Sequence, residues 1–160
     1  TFRLSKIPHF NISYGAIEEQ LQKMNVKDLT IKKISDAVIN IRTSKLPDPA
    51  VIGNAGSFFK NPEIDSAQLE KLQTIVTEDV RLPCYKINND KFKIPAGWLI
   101  EQCGWKGNRK GDAGCYDKQA LVLVNYGNAK GDEILALSEE IKSSVLKKFS
   151  INLETEVNIL

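Results

Sequence analysis

A serine hydroxyl follows two glycines in segment 53–62, which reads GNAGSFFKNP. Because glycine has no side chain, the backbone just before Ser57 can lie close to a ligand or to another surface. The aromatic residues after it, Phe58 and Phe59, should anchor the segment in the core. The simplest interpretation is a glycine-rich turn that enters a strand, with Ser57 bonded to nearby backbone. A hydroxyl fixed beside a ligand is the alternative, and the residues alone leave both open.

Several familiar kinds of site do not fit the sequence. Segment 53–62 lacks the Gly-Lys-Ser/Thr ending of a P-loop that binds phosphate. His9 is the one histidine that could activate Ser57 as a nucleophile, so a serine-hydrolase triad is not predicted. The three cysteines form no Cys-x-x-Cys pair, which argues against tetrahedral zinc, and no metal is expected.

Charged side chains offer two further candidates. Glu154 and Glu156 lie on one face of a C-terminal segment whose apolar residues alternate with a period of two. Such a face is most often simply solvated. Lys45 precedes the breaker Leu46-Pro47-Asp48-Pro49 and can hold a phosphate as a point charge, although a lysine at a helix end more often offsets the helix dipole.

The elements that must position these residues form an irregular series of helices and strands. Periodicity and capping residues predict helices over 16–24, after Thr30, after Asp65 or Ser66, after Pro95 and over 132–149. Strands are predicted in a hairpin around 88–90, in the buried run 120–124 and from Ile151 onward. The order is not a βαβ alternation. We therefore expect a single α+β domain, with a mixed or antiparallel sheet and helices packed on it.

Composition and charge exclude several classes of protein. The chain has 160 residues, of which 42% are apolar and 26% charged, with a formal net charge of +2. These values are typical of a globular domain, and so small a net charge favours neither nucleic acid nor an anionic membrane as a partner. No apolar run approaches the roughly 20 residues that span a bilayer. With an odd number of cysteines in no framework spacing, we expect a reducing compartment, the cytoplasm.

Six stretches, taken in order, resemble the UDP-N-acetylenolpyruvoylglucosamine reductases of peptidoglycan precursor synthesis. The stretches are 13–15, 40–49, 53–62, 95–100, 119–125 and 153–157, and the Gly-Ser-Phe-Phe stretch is the most specific of them. The resemblance implies that residues 11–160 are the C-terminal substrate-binding domain. Residues 1–10 would be the tail of a strand from a preceding flavin-binding domain. That domain is absent here, and the start at Thr1 favours a piece of a longer protein.

The resemblance also implies a chemistry. In that family NADPH reduces FAD, and the flavin delivers hydride to the enolpyruvyl double bond of UDP-N-acetylenolpyruvoylglucosamine to give UDP-N-acetylmuramate. By position Ser57 matches the proton donor, and Glu156 matches the glutamate that assists at the substrate carboxylate. FAD is expected to be bound mainly by the missing domain, which also supplies a catalytic arginine.

Further positions match residues that hold the nucleotide sugar in the family. These substrate-binding matches are Tyr14, Lys45, Asn61 and Gln119, each with a donor suited to phosphate or carbonyl oxygens. Arg42 matches a position on the flavin side of the family's site.

Three classes of function follow. The first is the substrate-binding domain of the reductase, inactive without the flavin domain. The second is a non-catalytic nucleotide-sugar binding module, and the third is a structural interaction domain.

Overall fold

The structure is a computed structural model of the chain, and it describes residues 1–13, 15–77 and 80–159. Helices and antiparallel strands both occur in it, which confirms the predicted α+β class. By compactness the chain divides into two units, Thr1–Leu46 and Pro47–Leu160.

The first unit contains two helices, α1 (Ile17–Lys23) and α2 (Ile31–Lys45). The Thr30 side chain accepts a hydrogen bond from the Lys33 backbone N–H, so α2 begins at the predicted N-cap. It ends at Lys45 because Pro47 disfavours helical backbone at Leu46, whose φ is -110° and ψ 146°.

Residues 1–10, predicted as the tail of a strand, form no strand. A strand needs a hydrogen-bonded neighbour, and none of the described segments pairs with these residues. Their assignment to a preceding flavin-binding domain stays a prediction.

The second unit contains ten named elements in a mixed order. In chain order these are β1 (Gly53–Ser57), β2 (Glu63–Asp65), α3 (Ser66–Ile75), β3 (Tyr85–Lys86), β4 (Lys91–Lys93), α4 (Ala96–Gln102), β5 (Arg109–Lys110), β6 (Ala113–Cys115), β7 (Val122–Asn125) and α5 (Gly131–Phe149). They build a four-stranded sheet of order β1-β7-β6-β5 and a three-stranded sheet of order β2-β4-β3. Every described strand pair is antiparallel.

The core of the second unit combines side chains of α3, α4 and α5 with those of β2 and the four-stranded sheet. The apolar run of β7 is buried throughout, as predicted for a strand covered on both faces. The predicted stripe on α5 packs against the core: Leu137, Ile141, Val145 and Phe149 are buried, and Ile134 is half-buried. This packing fixes β7, and β7 in turn carries β1.

Two local predictions need correction. The segment that begins at Gly53 is a strand with an irregularity, not a turn that leads into one. From Ile151 to Asn158 burial alternates as predicted, whereas Ile159, predicted on the inner face, is exposed. The segment forms a single isolated bridge, between Phe59 and Thr155, instead of a regular strand. The reason is that its partner, 58–60, is itself only a short extension beyond β1.

Candidate functional site

Ser57 is placed by a bulge in β1. Asn54 pairs with Val124 and Ser57 with Val122, so β1 advances one residue more than β7 between these pairs. The extra residue is accommodated at Gly56, whose φ of 76° is in the left-handed region that favours glycine. The bulge ends at Ser57, which is exposed.

The two phenylalanines after Ser57 anchor the segment, as predicted. Phe58 is 7% exposed and Phe59 is completely buried, and their ring centroids lie 5.1 Å apart in an edge-on arrangement. The Phe58 backbone N–H donates to the Leu121 carbonyl at 2.9 Å. The end of β1 is therefore held by both core packing and backbone pairing.

The C-terminal segment pairs with this anchored stretch. Around the Phe59–Thr155 bridge, the Lys60 N–H donates to the Glu154 carbonyl and the Glu156 N–H to the Phe58 carbonyl, each at 2.9 Å. Glu156 is thus bonded to the residue that directly follows Ser57. The structure brings the backbones of the two predicted catalytic residues to neighbouring positions.

Exposure at this pairing differs between the polar and the aromatic residues. Strict alternation would send Ser57 and Glu156 to opposite faces, because Glu156 pairs with the neighbour of Ser57. The consecutive Phe58 and Phe59 are both buried, so both faces of the segment are covered there, while Ser57 and Glu156 are both exposed. Both polar side chains reach solvent.

The two glutamates of the C-terminal segment have different neighbours. The Glu154 carboxylate lies 3.2 Å from the Lys60 ammonium in an exposed ion pair. Within the described residues, Glu156 makes no side-chain hydrogen bond or ion pair. Alternation predicts both carboxylates on one face, but the opposite segment pairs only Glu154, through Lys60. The Glu156 carboxylate has no ion-pair partner among the described residues.

Asn61 and Gln119 both lie against the first turn of α4. The Asn61 Oδ1 accepts from the Ala96 N–H at 2.9 Å, and the Gln119 Oε1 accepts a longer bond of 3.4 Å from the Leu121 N–H. Asn61 also lines a cleft of about 340 Å³ with polar walls, whose other members are Lys60, Pro62, Glu63, Asn152 and Glu154.

The remaining predicted residues belong to the first unit or lie outside the described residues. Arg42 and Lys45 are exposed in the last turns of α2. Tyr14 lies outside the residues that the structure describes, so its role stays a prediction.

The chain matches known proteins along its whole length. Residues 48–160 match the sequence model of a family described as UDP-N-acetylenolpyruvoylglucosamine reductase, C-terminal domain. The chain belongs to this family. This confirms the resemblance drawn from the six stretches.

Individual relatives agree with the family match. Proteins named UDP-N-acetylenolpyruvoylglucosamine reductase from Bacteroides fragilis and Amoebophilus asiaticus are 49% and 51% identical over 160 residues, which is 100% of the chain. One of the same name from Chromobacterium violaceum is 48% identical over 159 residues, 99% of the chain. The chain spans about half the length of the curated relatives it matches, 47%, 46% and 46% respectively.

The cavities of the second unit differ in size and in the side chains that line them. Organic ligands of drug size occupy mostly apolar pockets of roughly 300–1,000 Å³. The pocket with aromatic walls, beside Trp98 and Phe149, holds about 90 Å³. Three larger clefts among the described residues hold about 340–410 Å³, and charged side chains line all four of these cavities.

The described residues contain neither a cluster of metal ligands nor a membrane-spanning helix. No group of three or more acidic, histidine or cysteine side chains is arranged to hold a metal ion in the described part of the chain. None of the helices within 1–13, 15–77 and 80–159 combines the length and apolarity that a bilayer crossing requires.

The sequence patterns did not predict the partner of Lys60 or the place of Gly97. The alternation from Ile151 shows which glutamates share a face but not the register with 58–60 that pairs Lys60 with Glu154. Gly97 belongs to the matching stretch 95–100, but that stretch does not show that the Gln119 side chain lies beside it.

Proposed function

We propose that this chain is the substrate-binding portion of an FAD-dependent, NADPH-consuming reductase that converts UDP-N-acetylenolpyruvoylglucosamine to UDP-N-acetylmuramate in peptidoglycan precursor synthesis. The family match over 48–160 and the printed names of the relatives support the reaction. The observation that carries the residue roles is the backbone pairing of 58–60 with 154–156, because it keeps Ser57 and Glu156 at neighbouring positions.

In this proposal FAD, reduced by NADPH and held mainly by a flavin-binding domain outside this chain, supplies the hydride. Addition of hydride to the carbon β to the substrate carboxylate breaks the double bond and leaves an electron pair on the α carbon. The Ser57 hydroxyl donates its proton to that carbon and is reprotonated from solvent. Serine is a weak acid, so this transfer is effective only because the carbanion is strongly basic.

Glu156 assists at the substrate carboxylate and stabilises the enolate form of the intermediate. Two carboxylates repel unless one is protonated or a cation lies between them. In the proposal that cation is an arginine of the flavin-binding domain. The absence of an ion-pair partner for Glu156 within the described residues supports this role.

The nucleotide sugar is held by Tyr14, Lys45, Asn61 and Gln119, and Arg42 faces the flavin. Each has a donor for phosphate or carbonyl oxygens. The cytoplasm is the proposed compartment. The partners are the nucleotide sugar and the flavin-binding domain, with no nucleic acid or membrane involved.

The test joins this chain to the half that the relatives carry and follows NADPH absorbance. We expect oxidation of NADPH only when UDP-N-acetylenolpyruvoylglucosamine is added. If the nucleotide sugar binds but no NADPH is consumed, the reductase proposal is wrong and a non-catalytic nucleotide-sugar binding module is supported. If UDP-sugars do not raise the melting temperature at all, a structural interaction domain remains, since a ligand of the folded state must raise it.

A further inference from the structure

The side-chain amide of Asn61 has a fixed orientation. A backbone N–H can only donate, so the Asn61 atom that faces the Ala96 N–H at 2.9 Å is its oxygen. A second bond, from the Ile94 N–H to the Pro62 carbonyl at 3.0 Å, ties the same two segments together. Ile94 and Ala96 are completely buried, so this anchor is rigid. The NH2 group of the exposed Asn61 is left to face outward.

The oxygen of the Gln119 side-chain amide also faces a backbone N–H, and it lies beside Gly97, the residue after Ala96. This Oε1 faces the Leu121 N–H, and a Cβ added at Gly97 would lie 3.0 Å from that oxygen. This spacing is tighter than an ordinary van der Waals contact, so a side chain at position 97 would push the Gln119 oxygen away by a few tenths of an ångström. The Gln119 Nε2 has no hydrogen-bond partner among the described residues, yet it is not a buried unpaired atom, so it reaches solvent.

We propose that the start of α4, Ala96 and Gly97, is a positioning element. The Ala96 N–H holds the amide oxygen of Asn61, Gly97 leaves room for the Gln119 oxygen at the Leu121 N–H, and both NH2 groups are presented to the ligand. Asn61 and Gln119 then act only as donors, and the ligand atoms that they meet must be acceptors, such as phosphate or carbonyl oxygens. This inference rests on the proposed function in one respect, namely that Asn61 and Gln119 contact the nucleotide sugar. It adds a role for Ala96 and Gly97, which touch no substrate.

Isosteric acids separate the donor from the structural role. In the full-length protein, Asn61→Asp keeps an oxygen for the Ala96 N–H and Gln119→Glu keeps one for the Leu121 N–H, but each loses its NH2 group. We expect each variant to keep the wild-type melting temperature and to raise the KM for the nucleotide sugar, and the Kd for UDP, about 10- to 100-fold. The matched control is Asn88→Asp, because the Asn88 Oδ1 also accepts backbone N–H groups, in the hairpin turn.

The glycine is tested separately. Gly97→Ala places a methyl group 3.0 Å from the Gln119 oxygen, so we expect a KM raised several-fold with kcat nearly unchanged. Gly131→Ala is the control, since the added Cβ would have nothing within 4 Å at the start of α5. Both changes gain helix propensity, so lost stability does not explain a difference between them.

Two results would overturn the positioning element: wild-type UDP affinity in both isosteric acids, or equal KM values in the two alanine variants. Failure of the proposed reaction is distinguishable from these. It would appear as wild-type protein that binds UDP without consuming NADPH, and UDP titration of the isosteric acids would then decide the inference alone.

Discussion

In the proposed reaction Ser57 donates a proton and Glu156 stabilises the enolate. Each role can be tested by removal of one functional group. Ser57 is exposed at the end of a strand whose next two residues are anchored in the core. A small change at its Oγ should leave that anchor intact. Effects on rate therefore report chemistry and not folding.

Ser57→Ala in the full-length protein should lower turnover about 10²- to 10⁴-fold, the usual worth of a positioned proton donor. Substrate should still oxidise the reduced flavin to some degree, because hydride addition does not need the hydroxyl. Steady-state NADPH consumption and single-turnover flavin absorbance measure the two effects. Ser143→Ala, on the exposed face of α5, is the control, and equal turnover in the two variants would remove Ser57 from the mechanism.

Glu156→Gln should lower kcat far more than Glu154→Gln. The first change removes the carboxylate that is free of ion pairs in the described structure, whereas the second removes one that is already paired with Lys60. Exposed pairs of this kind contribute about 0–1 kcal/mol, so both variants should keep their melting temperature within a few degrees. A larger kcat loss for Glu154→Gln would show that the wrong carboxylate was assigned.

At the scale of elements, the bulge in β1 is the device that delivers Ser57. The positive φ at Gly56 costs an ordinary residue about 1–2 kcal/mol, while an added Cβ there would meet nothing within 4 Å. The cost of substitution is therefore one of backbone conformation. It leaves side-chain packing unchanged.

Gly56→Ala should be less stable than Gly53→Ala by about 1–2 kcal/mol in urea unfolding of this chain. Gly53 lies in the same strand without a positive φ, and its added Cβ would make only ordinary contact at 3.6 Å with Asn125. In the full-length protein, Gly56→Ala should also lower kcat because Ser57 moves with the bulge. Equal stability of the two variants would contradict a left-handed conformation at Gly56.

The strand β6 contains a thiol whose titration is linked to folding. Burial raises the pKa of Cys115 from its ordinary value of 9.0 to about 12, and its Sγ–H donates to the Ala120 carbonyl at 2.9 Å. The folded state therefore keeps a proton that the unfolded state loses above pH 9. Its contribution to stability is complete below that pH and is lost as pH rises toward 12.

Wild-type protein should lose stability faster than Cys115→Ala between pH 9 and 12, by at most about 1.4 kcal/mol per pH unit. The difference between the two urea-unfolding free energies isolates this thiol from the other groups that titrate in the window. Parallel pH dependence of the two proteins would contradict the buried, protonated thiol.

At the scale of the whole molecule, the proposed function divides the reaction between two domains. We propose that the polar cleft and the exposed site residues of this chain bind the nucleotide sugar, and that FAD is held mainly by a flavin-binding domain outside it. We therefore expect the purified chain to lack stoichiometric flavin absorbance and to turn over no NADPH. Joined to the half that the relatives carry, it should become yellow. A yellow preparation of the chain alone would contradict this prediction.

Local patterns predicted much of the fold. The caps at Thr30 and Asp65 depend on hydrogen bonds between residues three positions apart. The stripe of α5 and the buried run of β7 follow from the pattern of apolar residues in the sequence. The strands β5 and β6 were not predicted, because each is only two or three residues long and exists through pairing alone.

The sequence by itself determined the family, the helices and which residues are candidates for chemistry, since these depend on residue type and on order along the chain. Only the tertiary structure decided which candidates are neighbours. Glu156 is bonded to the residue after Ser57, and Glu154 is occupied by Lys60, because two segments about a hundred residues apart pair in one register. That register depends on the packing of Phe58 and Phe59 in the core, a condition that no local sequence pattern states.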